Sequence, residues 1–588
     1  MRVLERMGAG QQQPVVRASF ADSSMISQLY LHSKSQAKPL RIGLMIDAFQ
    51  IPAVFRQVLM DIQASDFASI ELVILNQETQ RPFRLHSVLY EAFQKRDRLQ
   101  LPNPNPLEGV DCTDLLGSCP RLDVIPIGNR SVHRFPPDAI AALQAADLDV
   151  ILRFGFRNLR GGVLTSARYG VWSFHYGDNE FYRGGPALFW EVVEDNPCSG
   201  ATLQVLAEKR DDGLVLCKSI FPTVRGHWPS RNSFQPHWGS SHFVIRKLHE
   251  LHERGWNSVK LGAVPRASYR GKAKIYRAPS DWQMAKWLVP RWLVPKVRNA
   301  VSPRNDTETE QIDQWRICLR RANSPELMTG ESRDKSNFRW MPSPQGHFYA
   351  DPMLIEHEGQ AWMFFEDFVY KHRRGRIACA PIQADGSIGK ATVCLDLPYH
   401  LSYPVVFRHN SEIFMVPESY QNEGIELWRA TNFPFSWKLE KTLFKGEFVD
   451  TTPVLHEDRW YFFTAPVERN TKPAFGALFS SDSLTGDWVH HPSSPISTDV
   501  RDARSGGAIV KVGNRLLRPV QDCAENYGRR IHVEEIVELS PTSYRARRLH
   551  SIEPDWEPGL RGVHTYAHGA GFEVLDAVRL QDRHVLGA

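Results

Sequence analysis

Short apolar runs alternate with stretches of helical spacing over roughly the first 260 residues. Residues 40–47, LRIGLMID, form a short apolar run, broken by Arg41 and ending in a polar residue, which is the pattern of a buried strand. Within 52–62, Val54, Val58, Leu59 and Ile62 recur at helical spacing. The pattern predicts further strands at 70–75, 124–127 and 149–154, and a helix at 137–145. Strands alternating with helices predict an α/β domain with a doubly wound parallel sheet. The ligand crevice of such a sheet lies beyond the carboxyl ends of its strands, where strand order reverses.

From about residue 338 the pattern becomes β throughout, with short aromatic-rich runs separated by polar turns. Four similar units begin at Tyr349, Ser402, Val449 and Ser505. Pro352, Pro404 and Pro453 mark three of them, 52 and 49 residues apart, and Ala508 follows 55 later. A repeat of this length predicts an all-β five-bladed propeller. The resulting division is a disordered tail over 1–38, an α/β domain over 39–262, a basic linker over 263–335 and the propeller over 336–582.

Between Arg266 and Arg304, ten Lys or Arg residues face one acid, Asp281, and Pro290 and Pro295 interrupt any long helix. Residues 282–298 have the make-up of a peripheral membrane contact, with Trp282, Trp287 and Trp292 beside Arg291, Lys296 and Arg298. Across the whole chain of 588 residues the cationic surplus is only 5, so a nucleic-acid partner is not favoured. The eight cysteines form no CxxC pair, and no metal is indicated. No apolar run reaches the length of about 18 that a spanning helix needs, and no secretory leader is visible, so a location in the cytoplasm, either free or peripheral to a membrane, is expected.

The chemistry concentrates in 149–213. His175 is followed by Tyr182, Arg183 and Gly184 at +7, +8 and +9, and Asp211 lies nine residues beyond Thr202. This order resembles the catalytic segment of the folate-dependent formyltransferases, which include methionyl-tRNA and sugar N-formyltransferases. The resemblance covers about residues 40–224. It implies 10-formyltetrahydrofolate as donor and an amine as acceptor. His175 would stand beside the developing oxyanion, with Asp211 as its carboxylate partner. Tyr182, Arg183 and Gly184 would shape the loop over the site. Ser173 stands where that family has Asn, exchanging an oriented amide donor for a shorter, rotatable hydroxyl. Loss of one such donor costs about 2.7–4 kcal/mol of transition-state stabilisation. Asp178 and Glu180 add carboxylates suited to a cationic or hydroxyl-rich acceptor.

In the β half, Asp351 and Asp450 hold equivalent places in their units, Glu366 and Glu418 end the first two units, and Tyr403 takes the acid's place in the second. Converging carboxylates can act as the acid and base of glycosidic chemistry. Arg504, Gln521, Asp522 and His564 extend the candidate polar cup, with Tyr403 among the aromatic faces for a sugar ring. The motifs Ala350-Asp351-Pro352, Phe365-Glu366, Tyr403-Pro404, Pro417-Glu418-Ser419, Tyr527-Gly528 and His564-Thr565 resemble family-43-type glycoside hydrolase propellers. They are closer still to the N-terminal propeller of plant glucosamine inositolphosphorylceramide transferases. Together the two resemblances imply N-formylation, or a related acyl transfer, of an amino sugar in glycoconjugate or polysaccharide synthesis, with the propeller binding or processing the glycan. The alternative is a propeller that makes or breaks a glycosidic bond beside a degenerate formyltransferase-like binding domain.

Overall fold

The computed structural model describes residues 25–78, 87–129, 132–209, 213–293, 311–467 and 475–582. The chain divides into two compact units between Pro303 and Arg304. The first is α/β, and the second is built almost wholly of β-sheet.

Seven strands form the sheet of the first unit: β1 (Leu40–Ile46), β2 (Ala68–Asn76), β3 (Arg121–Val124), β4 (Val150–Arg153), β5 (Val171–Tyr176), β6 (Cys198–Val205) and β7 (Leu214–Pro222). Their order is β7-β6-β5-β4-β1-β2-β3. The strands β1 to β5 pair in parallel, and β6 and β7 add antiparallel at one edge. The principal helices are α1 (Ala53–Ala64), α2 (Val88–Arg98), α3 (Pro137–Ala145), α4 (Trp190–Val193), α5 (Phe243–Leu261) and α6 (Asp281–Leu288). In α1 the residues at helical spacing, Val54, Val58, Leu59 and Ile62, are all buried, together with Ala53, Gln57 and Asp61. Strand order reverses between β1 and β4: the chain builds outward from β1 through β2 to β3, then returns to lay β4 and β5 on the other side.

Three expectations are corrected. The strand placed at 124–127 lies at Arg121–Val124 and pairs with Val73–Asn76. Pro126, which has no N–H to donate, ends it, and Ile127–Asn129 pairs elsewhere. The tail assigned to 1–38 is packed from residue 25 onward. Ile26, Ser27 and Tyr30 are buried, and the Ser27 hydroxyl donates to Asp61 (2.6 Å); residues 1–24 lie outside the described residues. The linker assigned to 263–335 is shared between the units. Tyr276 bridges Gly184, and Met284 and Trp287 bury against Tyr90 and Phe189. Gln311–Arg321, by contrast, is a full strand of the second unit, its buried Ile312, Ile317 and Leu319 set among basic and polar residues.

The principal strands of the second unit are β8 (Gln311–Arg321), β9 (His347–His357), β10 (Gln360–Val369), β11 (Ser402–His409), β12 (Glu412–Glu418), β13 (Phe448–His456), β14 (Arg515–Asp522) and β15 (Phe572–Asp582). They belong to five antiparallel sheets among the described residues. The strand β8 pairs with β15 over eleven positions, from Gln311 opposite Asp582 to Arg321 opposite Phe572. The strands β9, β11 and β13 each open with the same irregularity. Pairing skips two residues, and the first of each pair has positive φ: Asp351 (54°), Tyr403 (45°) and Asp450 (51°). Positive φ is uncommon outside glycine, so its recurrence marks a shared bulge. Pro352 and Pro404 occupy the skipped places, where no ladder hydrogen bond is required of them. In β13 that place is Thr451, whereas Pro453 is paired with Phe462. The repeat therefore runs on 351, 403 and 450 rather than on the prolines. Among the described residues no helix is long and apolar enough to cross a membrane.

Candidate functional site

A crevice of about 980 Å³ opens at the carboxyl ends of the central strands of the first unit. Its lining includes Arg153, Ser173, His175, Arg183, Gly184 and Tyr269. Two strand registers place these groups: Ser173 lies opposite Arg153 of β4, and His175 opposite Thr202 of β6. The His175 Nε2 donates to the Tyr182 carbonyl (2.9 Å), which ties the ring to the loop 177–185. Gly184 has φ of +105°, and a Cβ there would stand 2.2 Å from the Tyr276 carbonyl oxygen, so only glycine lets the loop close on the segment around Tyr276. The Arg183 guanidinium lies over the Tyr269 ring at 4.0 Å. Ser173 is buried, and its Oγ accepts from Arg153 Nη1 (2.8 Å).

The other residues assigned to this site have different placements. Tyr182 is buried, and its hydroxyl contacts Glu194 and Asn196. Asp178 and Glu180 do not line the crevice; Lys218 Nζ bridges them at 2.7 and 2.6 Å, and Arg270 donates to Glu180 (2.7 Å). Burial alone would raise the Glu180 carboxyl, but these cations hold it below its ordinary value. The two acids expected to recruit a cationic acceptor are thus neutralised by the chain's own cations. Asp211 lies outside the described residues.

In the second unit, hydrogen bonds from the bulges of successive sheets knit a buried polar cluster. The Asp576 carboxylate accepts the Asp351 N–H (2.9 Å), Asp351 accepts that of Tyr403 (3.1 Å), and Glu418 accepts that of Asp450 (3.0 Å). His564 lies between two carboxylates, with Nδ1 2.8 Å from Asp576 and Nε2 3.2 Å from Asp351. Asp450 is bound by Arg504 and by the Gln521 amide (3.1 Å). Burial disfavours the His564 charge, but Asp576 and Asp351 more than offset it and raise its pKa well above the ordinary value. For Asp351 the His564 charge and three hydrogen bonds outweigh burial, so its carboxyl is held low. Burial, with Asp351 and Glu418 nearby, pushes Glu366 well above the usual carboxylate range, and Glu366 Oε1 is sealed without a hydrogen-bond partner. Burial and Asp450 push Glu418 to about 8.

Two residues assigned to this cup are corrected. Tyr403 is fully buried, and its hydroxyl is 2.9 Å from Thr452 Oγ1 and accepts the Gly507 N–H (2.7 Å), so it offers no stacking face. Asp522 turns to His532 (3.2 Å) and Arg530 (3.4 Å) instead of joining the cluster.

Asp351, His564 and Asp576 bring possible metal-ligand atoms within 4.8 Å of one another. Both ring nitrogens of His564 already face carboxylates, so a cation entering there must displace a strongly held proton. Sequence reasoning missed Asp576, an acid set among the apolar residues Val574, Leu575, Ala577 and Val578. It also missed Arg153, the charge that ends the strand DVILR, and Lys218, whose role depends on a cross-strand neighbour.

The fold and its polar centres define an α/β unit with a strand-end crevice, followed by a unit of antiparallel sheets that buries an acid–histidine cluster. Similarity to known proteins covers parts of the chain. The family described as "Glucosamine inositolphosphorylceramide transferase 1, N-terminal" matches residues 331–587. Glucosamine inositolphosphorylceramide transferase 1 of Arabidopsis thaliana is 37% identical over 209 residues, 34% of this chain and 27% of that protein. The chain thus spans about a quarter of the length of that relative. Methionyl-tRNA formyltransferase of Synechococcus sp. (strain JA-3-3Ab) is 25% identical over 224 residues, 37% of this chain and 65% of that protein. Among solved structures, an exo-β-1,3-galactanase from Clostridium thermocellum covers 40% of this chain and 56% of its own at 13% identity, with a TM-score of 0.30.

Proposed function

We propose that the chain is a carbohydrate-active transferase that moves a formyl or related acyl group to the amine of an amino sugar in glycoconjugate or polysaccharide synthesis. Its five sheets form a five-bladed propeller that holds the glycan. The observation that carries this reading is the placement of Ser173, His175, Arg183 and Gly184 on one crevice at the strand ends. The residues present fit 10-formyltetrahydrofolate: about 980 Å³ lies at the upper end of small-molecule sites, and Arg153 and Arg183 suit the donor's carboxylates. When bound, that donor supplies an electrophilic formyl carbon. The chain's own part is to orient the amine beside His175 and to take up its proton there, with Gly184 letting the loop lie close.

The test is calorimetric titration of the full chain with 10-formyltetrahydrofolate, followed by turnover with nucleotide-linked amino sugars. Saturable heat and a formylated product are expected, and His175→Ala should remove the product while costing about 1 kcal/mol of stability for each hydrogen bond lost. Absence of both heat and product ends the reading.

A second reading places catalysis in the propeller. It is favoured by the spread of carboxyl pKa values, with Asp351 held low beside Glu366 and Glu418 held high, which is how an acid and a base are set apart at one pH. The glycan partner of either reading is supported by the similarity of residues 331–587 to the N-terminal family of glucosamine inositolphosphorylceramide transferase 1. Peripheral membrane contact through 282–298 is supported by Trp282, which is 75% exposed on α6.

A further inference from the structure

We propose that Arg153, together with Ser173, forms an anion-binding station at the floor of the crevice, built for a carboxylate or phosphate oxygen of the bound ligand. This rests on the reading of the crevice as a ligand site. Arg153 is the last residue of β4, and Asp47 follows β1 directly. The two residues therefore flank the point where strand order reverses, the place at which doubly wound sheets bind their ligands.

The guanidinium is fixed in direction and lacks a counter-charge. Its Nη1 donates to Ser173 Oγ (2.8 Å) and its Nη2 to the Phe156 carbonyl (3.0 Å), while Nε is sealed from solvent with no acceptor. No carboxylate lies within ion-pair distance of it among the described residues. Asp47 offers only longer-range compensation, and its Oδ1 accepts from the Asn76 amide (2.7 Å) and the Phe156 N–H (2.9 Å). Burial lowers the Arg153 pKa, as expected of a cation held away from water without a counter-charge at ion-pair distance. Uncompensated charge in such a setting is costly and calls for a partner. The crevice can supply one. The described residues lining it include four arginines (Arg153, Arg160, Arg183 and Arg266) and no Asp or Glu. A short hydroxyl at 173 serves this arrangement by turning the planar fork without filling the space in front of it. The two remaining Nη protons are free to meet an oxyanion, the geometry that makes arginine the preferred partner of carboxylates and phosphates.

The full-length chain is titrated calorimetrically with inorganic phosphate and, separately, with acetate. Saturable binding of at least one is expected, and the stronger of the two identifies the ligand group. Arg153→Gln should weaken it roughly tenfold or more, Arg153→Lys less, and Ser173→Ala less than Arg153→Gln. Melting curves confirm that each variant is folded, and Arg153→Lys keeps the test decisive if the glutamine variant is not. No saturable heat with either probe, or equal affinity in wild type and Arg153→Lys and Arg153→Gln, overturns the station. Arg153-dependent anion binding without any formyl transfer would leave the station standing and remove the acyl-transfer reading; formyl transfer with Arg153-independent binding would do the reverse.

Discussion

Glu191, on α4, is 1% exposed, and its Oε1 has no hydrogen-bond partner among the described residues. Burial pushes its pKa from an ordinary 4.5 to about 8. The folded protein therefore carries this carboxyl protonated at neutral pH, while the unfolded chain ionises it. Folding must take up a proton between these values, so the contribution of Glu191 to stability falls as pH rises from about 4.5 to about 8, then levels off. Glu191→Gln keeps the shape without the proton requirement. It should be more stable than wild type by about 1–4 kcal/mol at pH 8 and nearly equal at pH 4.5, as read from urea denaturation at the two values. Nothing in FWEVV marks this acid out, because its isolation comes from packing beside Gly177. His175, Arg183 and Gly184 were legible because their spacing is fixed along the chain. Arg153 and Asp576 were not, since each gains its setting from a strand distant in sequence.

Among elements, α6 shows how far composition can mislead. Ser280 caps it with a full capping box, and Asp281 accepts the Ser87 hydroxyl (2.6 Å) and the Leu89 N–H (2.9 Å), which joins the starts of α6 and α2. Met284 and Trp287 face inward, so this part of the basic segment is structural. The outward face carries Trp282, Lys286 and Val289 at helical spacing, beside Val88 (62% exposed) and Leu89 on α2. If that face meets anionic lipid, the full chain should co-sediment with vesicles containing phosphatidylglycerol and much less with neutral ones. Trp282→Ala should lower the bound fraction several-fold without changing the melting temperature. Equal binding of wild type and variant would dismiss the face. Strands and helices of the first unit were legible from period alone, as in α1. The bulges at 351, 403 and 450 were legible as a repeat, but prolines obscured their register.

At the scale of the whole molecule, two chemistries compete for one chain, and paired variants separate them. If the crevice is the catalyst, His175→Ala removes product and Glu418→Gln weakens only glycan binding. If the second unit is the catalyst, Glu418→Gln should cut sugar release or transfer by about 10²-fold or more and His175→Ala should leave it intact. The rates of both variants on one glycan acceptor decide the matter. The α/β class of the first unit and the β-sheet class of the second were readable from the alternation of elements and the repeat length. What the sequence hid was the strand that starts the second unit, because its partner lies about 250 residues further on.

That pairing has a consequence during synthesis. The strand β8 emerges from the ribosome long before β15, roughly 12–50 s earlier at ordinary elongation rates. For that interval its row of backbone donors and acceptors is unpaired, and Arg320 lacks the Glu573 carboxylate that later receives it at 2.6 Å. A nascent chain in this condition is open to pairing with β15 of a neighbouring polysome product, so crowded expression should favour exchanged dimers. Slower translation would lengthen that exposure, and a chaperone that shields residues 311–321 would shorten it.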